Sequence, residues 1–157
     1  MTAGSVIHDT FTFERSFLAT PARAFAAFAS AEAKKHWFGP PDPAEFDFRV
    51  GGHERFRYRH QGKPYRYDAR YYDIVPDERI VYSYEIYMDE ARMSVSVTTI
   101  EFARSGDGTG LIWTEQGAFL DGVDGPRAPA ERMEGTAIIV DDLAGYLRAP
   151  AARDSPA

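Results

Sequence analysis

Apolar and polar residues alternate with a period near two along most of this chain, and a helical period replaces it only towards the end. Residues 6–18, Val6-Ile7-His8-Asp9-Thr10-Phe11-Thr12-Phe13-Glu14-Arg15-Ser16-Phe17-Leu18, are rich in aromatic and β-branched side chains and predict a long first strand. Thr20-Pro21 then predicts a helix start, because threonine supplies a capping oxygen and proline at the first helical position gives up no hydrogen bond. The Ala-rich run from Ala22 to Ala29, with Phe25 and Phe28 three apart, reads as a short helix burying one side. A second short helix, about Ala31 to Phe38, stops at Gly39-Pro40-Pro41.

Six further strand-like segments follow, separated by turn signals at short intervals, with no βαβ alternation, which predicts an antiparallel meander. Phe46, Phe48 and Val50 alternate with Glu45, Asp47 and Arg49. Gly51-Gly52 then reads as a two-residue hairpin turn into Phe56, Tyr58 and His60, which alternate with Arg55, Arg57 and Arg59. The next segments are Tyr65 to Val75, Arg79 to Met88, Ser94 to Phe102 and Thr109 to Phe119, ended by Pro76-Asp77-Glu78, Asp89-Glu90, Gly106-Asp107-Gly108 and Asp121-Gly122. From Pro126 to Leu147 the period becomes helical. Met133, Ala137, Val140, Ala144 and Leu147 form a stripe that Ile139 and Leu143 widen. Gly135 weakens that helix by roughly 1 kcal/mol relative to alanine, so close packing or a ligand cavity beside it would be a reason for its presence.

Length and composition narrow the choice. At 157 residues the chain fits one domain, 1–157, with an ordered core expected over about 6–148 and a flexible tail over 149–157. The absence of cysteine excludes disulfides, thiolate metal sites and a cysteine nucleophile. Eighteen basic residues against 24 acidic give a net charge of -6, which argues against a duplex-binding footprint; no nucleic acid partner is expected. No apolar run reaches the roughly 18 residues of a membrane span, and Met1-Thr2-Ala3-Gly4-Ser5 has neither the basic nor the apolar part of a secretory signal. No membrane association and a cytoplasmic location are the expectations. The aromatic content of 14% is high.

The sheet's apolar face and the final helix's stripe must cover each other. The expected fold is α+β: a seven-stranded, curved antiparallel sheet wrapped around a long C-terminal helix, with two short helices after the first strand. In this respect the chain resembles the helix-grip, START-like (SRPBCC) superfamily, and within it the branch named for the activator of heat shock protein 90 ATPase. The residues carrying the resemblance run in family order over about 13–147. They are Thr20-Pro21-Ala22, Trp37-Phe38-Gly39-Pro40, Asp47-Phe48-Arg49-Val50-Gly51-Gly52, Asp73-Ile74-Val75-Pro76-Asp77-Glu78-Arg79-Ile80-Val81, Thr99-Ile100-Glu101-Phe102, Gly106-Asp107-Gly108-Thr109 and Glu134-Gly135. Thr136, where the family often has an aromatic residue, and Ala69, where it often has glycine, depart from the pattern. The resemblance implies a hydrophobic cavity between sheet and long helix, used by different members for lipids, polyketides, hormones or other apolar molecules, and by some for protein partners. The eukaryotic chaperone activators carry a further N-terminal domain for which this sequence has no room, so chaperone activation is not expected.

Most motifs have a plain structural explanation. His53, His60 and His36 lack metal-ligand spacing, His53 and His60 fall on opposite faces of one strand, and no metal or other cofactor is expected. Gly106-Asp107-Gly108-Thr109-Gly110 precedes a strand rather than a helix N-terminus and reads as a hairpin turn, not a phosphate loop. Arg55, Arg57, Arg59, Arg66 and Arg70 form a basic cluster that cross-strand pairing with Glu45, Asp47 and Asp68 would neutralise. Glu115 stands apart. It shares parity with Leu111, Trp113, Gly117 and Phe119, which places a carboxylate on the helix-facing side, as a general acid or base or an anchor for a ligand hydroxyl, unless the strand end protrudes or an arginine neutralises it. The expected function is binding of a hydrophobic or aromatic small molecule by Trp37, Tyr65, Tyr67, Tyr82, Tyr84, Trp113, Glu115, Gly135 and Ile139. The alternatives are a cyclase- or hydrolase-like enzyme using Glu115 with a tyrosine or His36 for proton transfer, and a protein-partner module with a filled interior. Homodimerisation through an exposed sheet edge or helix is left open by the sequence.

Overall fold

A computed structural model describes residues 5–39, 45–123 and 125–148. The 149–157 tail and the Pro40-Pro41 stop lie outside the described residues. Seven strands form one antiparallel sheet in the order β1-β7-β6-β5-β4-β3-β2, with β1 Val6–Phe17, β2 Glu45–Phe46, β3 His53–His60, β4 Lys63–Val75, β5 Arg79–Met88, β6 Ala91–Ser105 and β7 Gly108–Leu120. Helices α1 Pro21–Ala26 and α2 Ala31–Lys34 follow β1, and α3 Ala128–Arg148 closes the fold. Apart from the first strand, which swings round to pair with β7, each strand pairs with its neighbour in sequence, as short turns dictate. This is the helix-grip arrangement.

Local chemistry explains the element ends. Thr20 Oγ1 accepts from the Arg23 amide at 3.2 Å and Ser30 Oγ from the Ala33 amide at 3.1 Å, capping the two short helices. The second helix is shorter than the sequence predicts, ending at Lys34, and a turn carries the chain on to Gly39. Gly39 adopts the left-handed φ of +74° with the Phe56 ring against it. The predicted two-residue turn at Gly51-Gly52 is instead the end of a longer connection, because β2 stops at Phe46. Asp47 and Arg49 carbonyls fold back onto the Gly52 region, where a Cβ would come within 2.0 Å of the Asp47 carbonyl oxygen. Only glycine fits there.

Two register shifts bend the sheet. One lies between Tyr71 and Asp73 and leaves Tyr72 turned outward, 54% exposed; the other lies between Ile86 and Tyr87, opposite Met93. On the concave side Ile80, Ile100, Leu111, Trp113 and Phe102 pack against Phe25 and Phe28 of the α1 region and against Val140, Leu143, Ala144 and Leu147 of α3. The large buried apolar side chains of α3 therefore lie in its C-terminal half. Met133, which the sequence places in the buried stripe, is 40% exposed, and Arg132 and Thr136 face inward in its place. The rotation follows from what lies beneath the N-terminal half of the helix, which is a cavity rather than core.

Candidate functional site

Between the sheet and the first half of α3 lies a cavity of about 530 Å³. Its walls are Phe38, Phe56, Tyr58, Tyr67, Tyr82, Tyr84, Ile86 and Trp113, with Gly135, Thr136 and Ile139 from the helix. The rings form a continuous series: Phe56 stacks on Tyr67 at 4.6 Å, Tyr67 on Tyr84 at 5.2 Å, and Phe38 meets Tyr67 edge-on at 5.4 Å. This volume and this aromatic lining suit a small organic molecule. At Gly135 a Cβ would meet nothing within 4 Å, so the glycine borders open space rather than a close backbone contact. Gly135→Ala should therefore stabilise the fold by about 0.5–1 kcal/mol through helix propensity alone, measured by urea denaturation. A loss of stability would show that the helix needs room there.

One end of the cavity is polar. Glu115 is 3% exposed; Tyr84 Oη donates to its Oε2 at 2.5 Å and Thr98 Oγ1 to its Oε1 at 3.3 Å. Arg132, reaching in from α3, has Nη1 at 3.9 Å from Glu115 Oε2, and donates to Tyr84 Oη at 3.1 Å, Ser96 Oγ at 3.5 Å and Ser94 Oγ at 2.8 Å. Burial raises the Glu115 pKa above the ordinary carboxylate value, opposed by Tyr84, Arg132, Thr98 and the nearby Trp113 indole. Burial and the adjacent Glu115 hold the Tyr84 phenol far up, so it stays a donor. For Arg132, burial works against the charge, but Tyr84 and Glu115 outweigh it and keep it protonated. Two further polar atoms, Tyr67 Oη and Trp113 Nε1, are buried without a hydrogen-bond partner.

The raised carboxylate has a consequence for stability. Between 4.5, the ordinary carboxylate value taken in the unfolded chain, and its higher folded value, native Glu115 keeps a proton that the unfolded chain has released. Stability from this group therefore falls as pH rises through that interval. The melting temperature of the wild type minus that of Glu115→Gln should descend across it; a flat difference would show that Glu115 is not desolvated.

Of the residues predicted from sequence, the structure brings Tyr67, Tyr82, Tyr84, Trp113, Glu115, Gly135 and Ile139 together around this cavity. Three fall elsewhere. Trp37 is core, its indole N–H donating to the Ala27 carbonyl at 3.0 Å and its ring against Phe28. Tyr65 stacks on Tyr58 at 5.2 Å beyond the cavity's end, in a separate surface cleft. His36 is exposed and stacks on Tyr146 at 5.3 Å, so it is not placed to exchange a proton with a cavity ligand. Arg132, Tyr58, His60, Phe38 and Phe56 also line the cavity, and none of them is among the ligand-binding residues expected from the sequence. Their one sequence signal was parity for the β3 residues, and none existed for Arg132.

A second buried polar group lies just outside the cavity wall. Lys34 Nζ is 2.6 Å from Glu54 Oε1, which also accepts from Tyr71 Oη at 2.9 Å. Both charged side chains are buried, and the Lys34 amine sits 4.4 Å from the Phe38 ring centroid. The expected surface pairing of the arginine cluster is realised in part. Arg55 bonds Asp68 at 3.0 Å and Glu45 at 2.8 Å, whereas Asp47 pairs with Arg49. Among the described residues no helix is long and apolar enough to cross a membrane.

The family model described as activator of Hsp90 ATPase homolog 1-like protein matches residues 18–148. The chain belongs to that family. Among solved structures, the Mll3558 protein from Rhizobium loti is 49% identical, covering 91% of this chain and 99% of that one, with a TM-score of 0.83. An uncharacterized protein from Rhizobium leguminosarum is 39% identical over 95% of this chain and 100% of its own, with a TM-score of 0.86. A protein from Chromobacterium violaceum is 27% identical over 90% and 98%, with a TM-score of 0.73. No curated protein matches. The family's helix-grip fold thus accompanies the cavity and its polar end in this member.

Proposed function

We propose that this protein binds a hydrophobic, aromatic small molecule in the cavity between its sheet and α3, and needs no cofactor to do so. The observation carrying this reading is the aromatic cavity of about 530 Å³ under the unpacked half of α3. A module that only docks proteins was expected to have a filled interior, and the cavity counts against it. The test uses 2-ethylnaphthalene as probe. Saturating probe should raise the melting temperature of the wild type by mass action. Gly135→Phe, whose ring would enter open space, should abolish that rise without lowering its own melting temperature. A wild type that ignores the probe, or a variant that responds equally, would contradict the reading.

Glu115 favours a second reading, a cyclase- or hydrolase-like enzyme on the same scaffold. A desolvated carboxylate on a cavity wall, hydrogen-bonded to a protonated tyrosine, is suited to moving a proton to or from a bound molecule. His36 has no part in it. Under this reading Glu115→Gln abolishes turnover of a bound molecule and leaves its affinity largely intact; under the binding reading no conversion is seen with either form.

A further inference from the structure

Arg132 lines the cavity with a largely buried guanidinium, and a role for it towards a ligand rests on the binding function proposed above. A guanidinium carries five N–H donors in one plane. Nη1 directs its two to Tyr84 Oη and Ser96 Oγ, and Nη2 directs one to Ser94 Oγ. Ser94 and Ser96 are two apart on β6, so they share a face and span the outer end of the guanidinium. Nε–H and the second Nη2–H remain, and in any arginine these lie parallel along one edge. Arg132 lines the cavity, and no hydrogen bond to the described residues uses this edge.

We propose that this edge of Arg132 anchors a carboxylate, and that the ligand is a hydrophobic aromatic carboxylic acid with its ring among Phe56, Tyr58, Tyr67 and Trp113. Two parallel donors match two carboxylate oxygens, whereas a single ketone oxygen would leave one donor unmet. The hydroxyls of Ser94, Ser96 and Tyr84 fix the guanidinium in place before a ligand arrives, which lowers the ordering cost of binding. The guanidinium keeps donor capacity: its hydrogen bonds all go to hydroxyls, and its ion pair with Glu115 is long, 3.9 Å, that carboxylate accepting from Tyr84 and Thr98. Glu131, the other carboxylate on the lining, is solvent-exposed, where its charge is screened.

The experiment is calorimetric titration of the full chain at pH 7 with 2-naphthoate, 2-acetonaphthone and 2-ethylnaphthalene. Naphthoate should bind about tenfold or more tightly than the ketone, and Arg132→Lys, which keeps the charge but loses the fork, should remove that advantage while leaving the hydrocarbon's affinity within about twofold. If the ketone or hydrocarbon binds as tightly as the acid, or Arg132→Lys leaves the acid's affinity unchanged, the carboxylate preference is overturned while the ligand site stands. If none of the three binds, the ligand site itself is overturned and the preference with it. Should Arg132→Lys not fold, the ranking of the three probes on the unaltered protein decides alone.

Discussion

Replacing Glu54 with alanine is expected to destabilise the fold by about 3–5 kcal/mol, because it strands the buried Lys34 charge without its partner. The pair is 2.6 Å apart, and Tyr71 Oη, which donates to the same carboxylate oxygen, loses its acceptor as well. Removing both charges at once, in Lys34→Met with Glu54→Leu, should cost much less, since apolar side chains of similar size can replace a buried ion pair. Urea denaturation of the two single variants and the double variant measures this coupling. If Glu54→Ala loses less than about 1 kcal/mol, the pair is solvated and does not fix α2. The effect reaches the site because Lys34 underlies Phe38, whose ring meets Phe56 at 5.9 Å and Tyr67 at 5.4 Å on the cavity wall.

Trp113→Ala is expected to cost about 3–5 kcal/mol as well, by a different route: it deletes a large buried ring and joins its volume to the existing cavity. Its ring contacts Phe28 at 6.2 Å and Trp37 at 6.4 Å on one side and faces the cavity on the other. The stability loss, read by denaturation, holds under any function. Binding separates the functions. If Trp113 forms a ligand wall, the molecules that remain folded bind 2-ethylnaphthalene more weakly; unchanged affinity would make it core packing only.

How far the sequence reveals this molecule depends on the kind of signal each residue carries. Strand parity is local, and it places Glu115 on the inner face between Trp113 and Gly117, where it is found. Turn residues are local too, and the strand from Arg79 to Met88 has the ends its turns predict. Aromatic identity is not enough by itself: Trp37 and Trp113 look alike in sequence, yet one ring is sealed into core by its bond to Ala27 and the other borders the cavity. Lys34 and Arg132 carry no local signal whatever. Each sits in a helix among residues that read as solvated, and its burial depends on partners 20 and 38 residues away, Glu54 and Ser94. Arg132 also explains the misplaced Met133. Its bonds to β5 and β6 set the rotation of the first half of α3, where no packed core exists to do so.

The most direct test of a ligand-binding cavity is native mass spectrometry of the protein purified without denaturation, followed by organic extraction and identification of whatever is retained. A stoichiometric aromatic molecule in the wild type, absent from Gly135→Phe, is the predicted result. A clean unliganded mass, together with no thermal shift across a panel of hydrophobic metabolites, would contradict it and point to a protein that works through its outer surface.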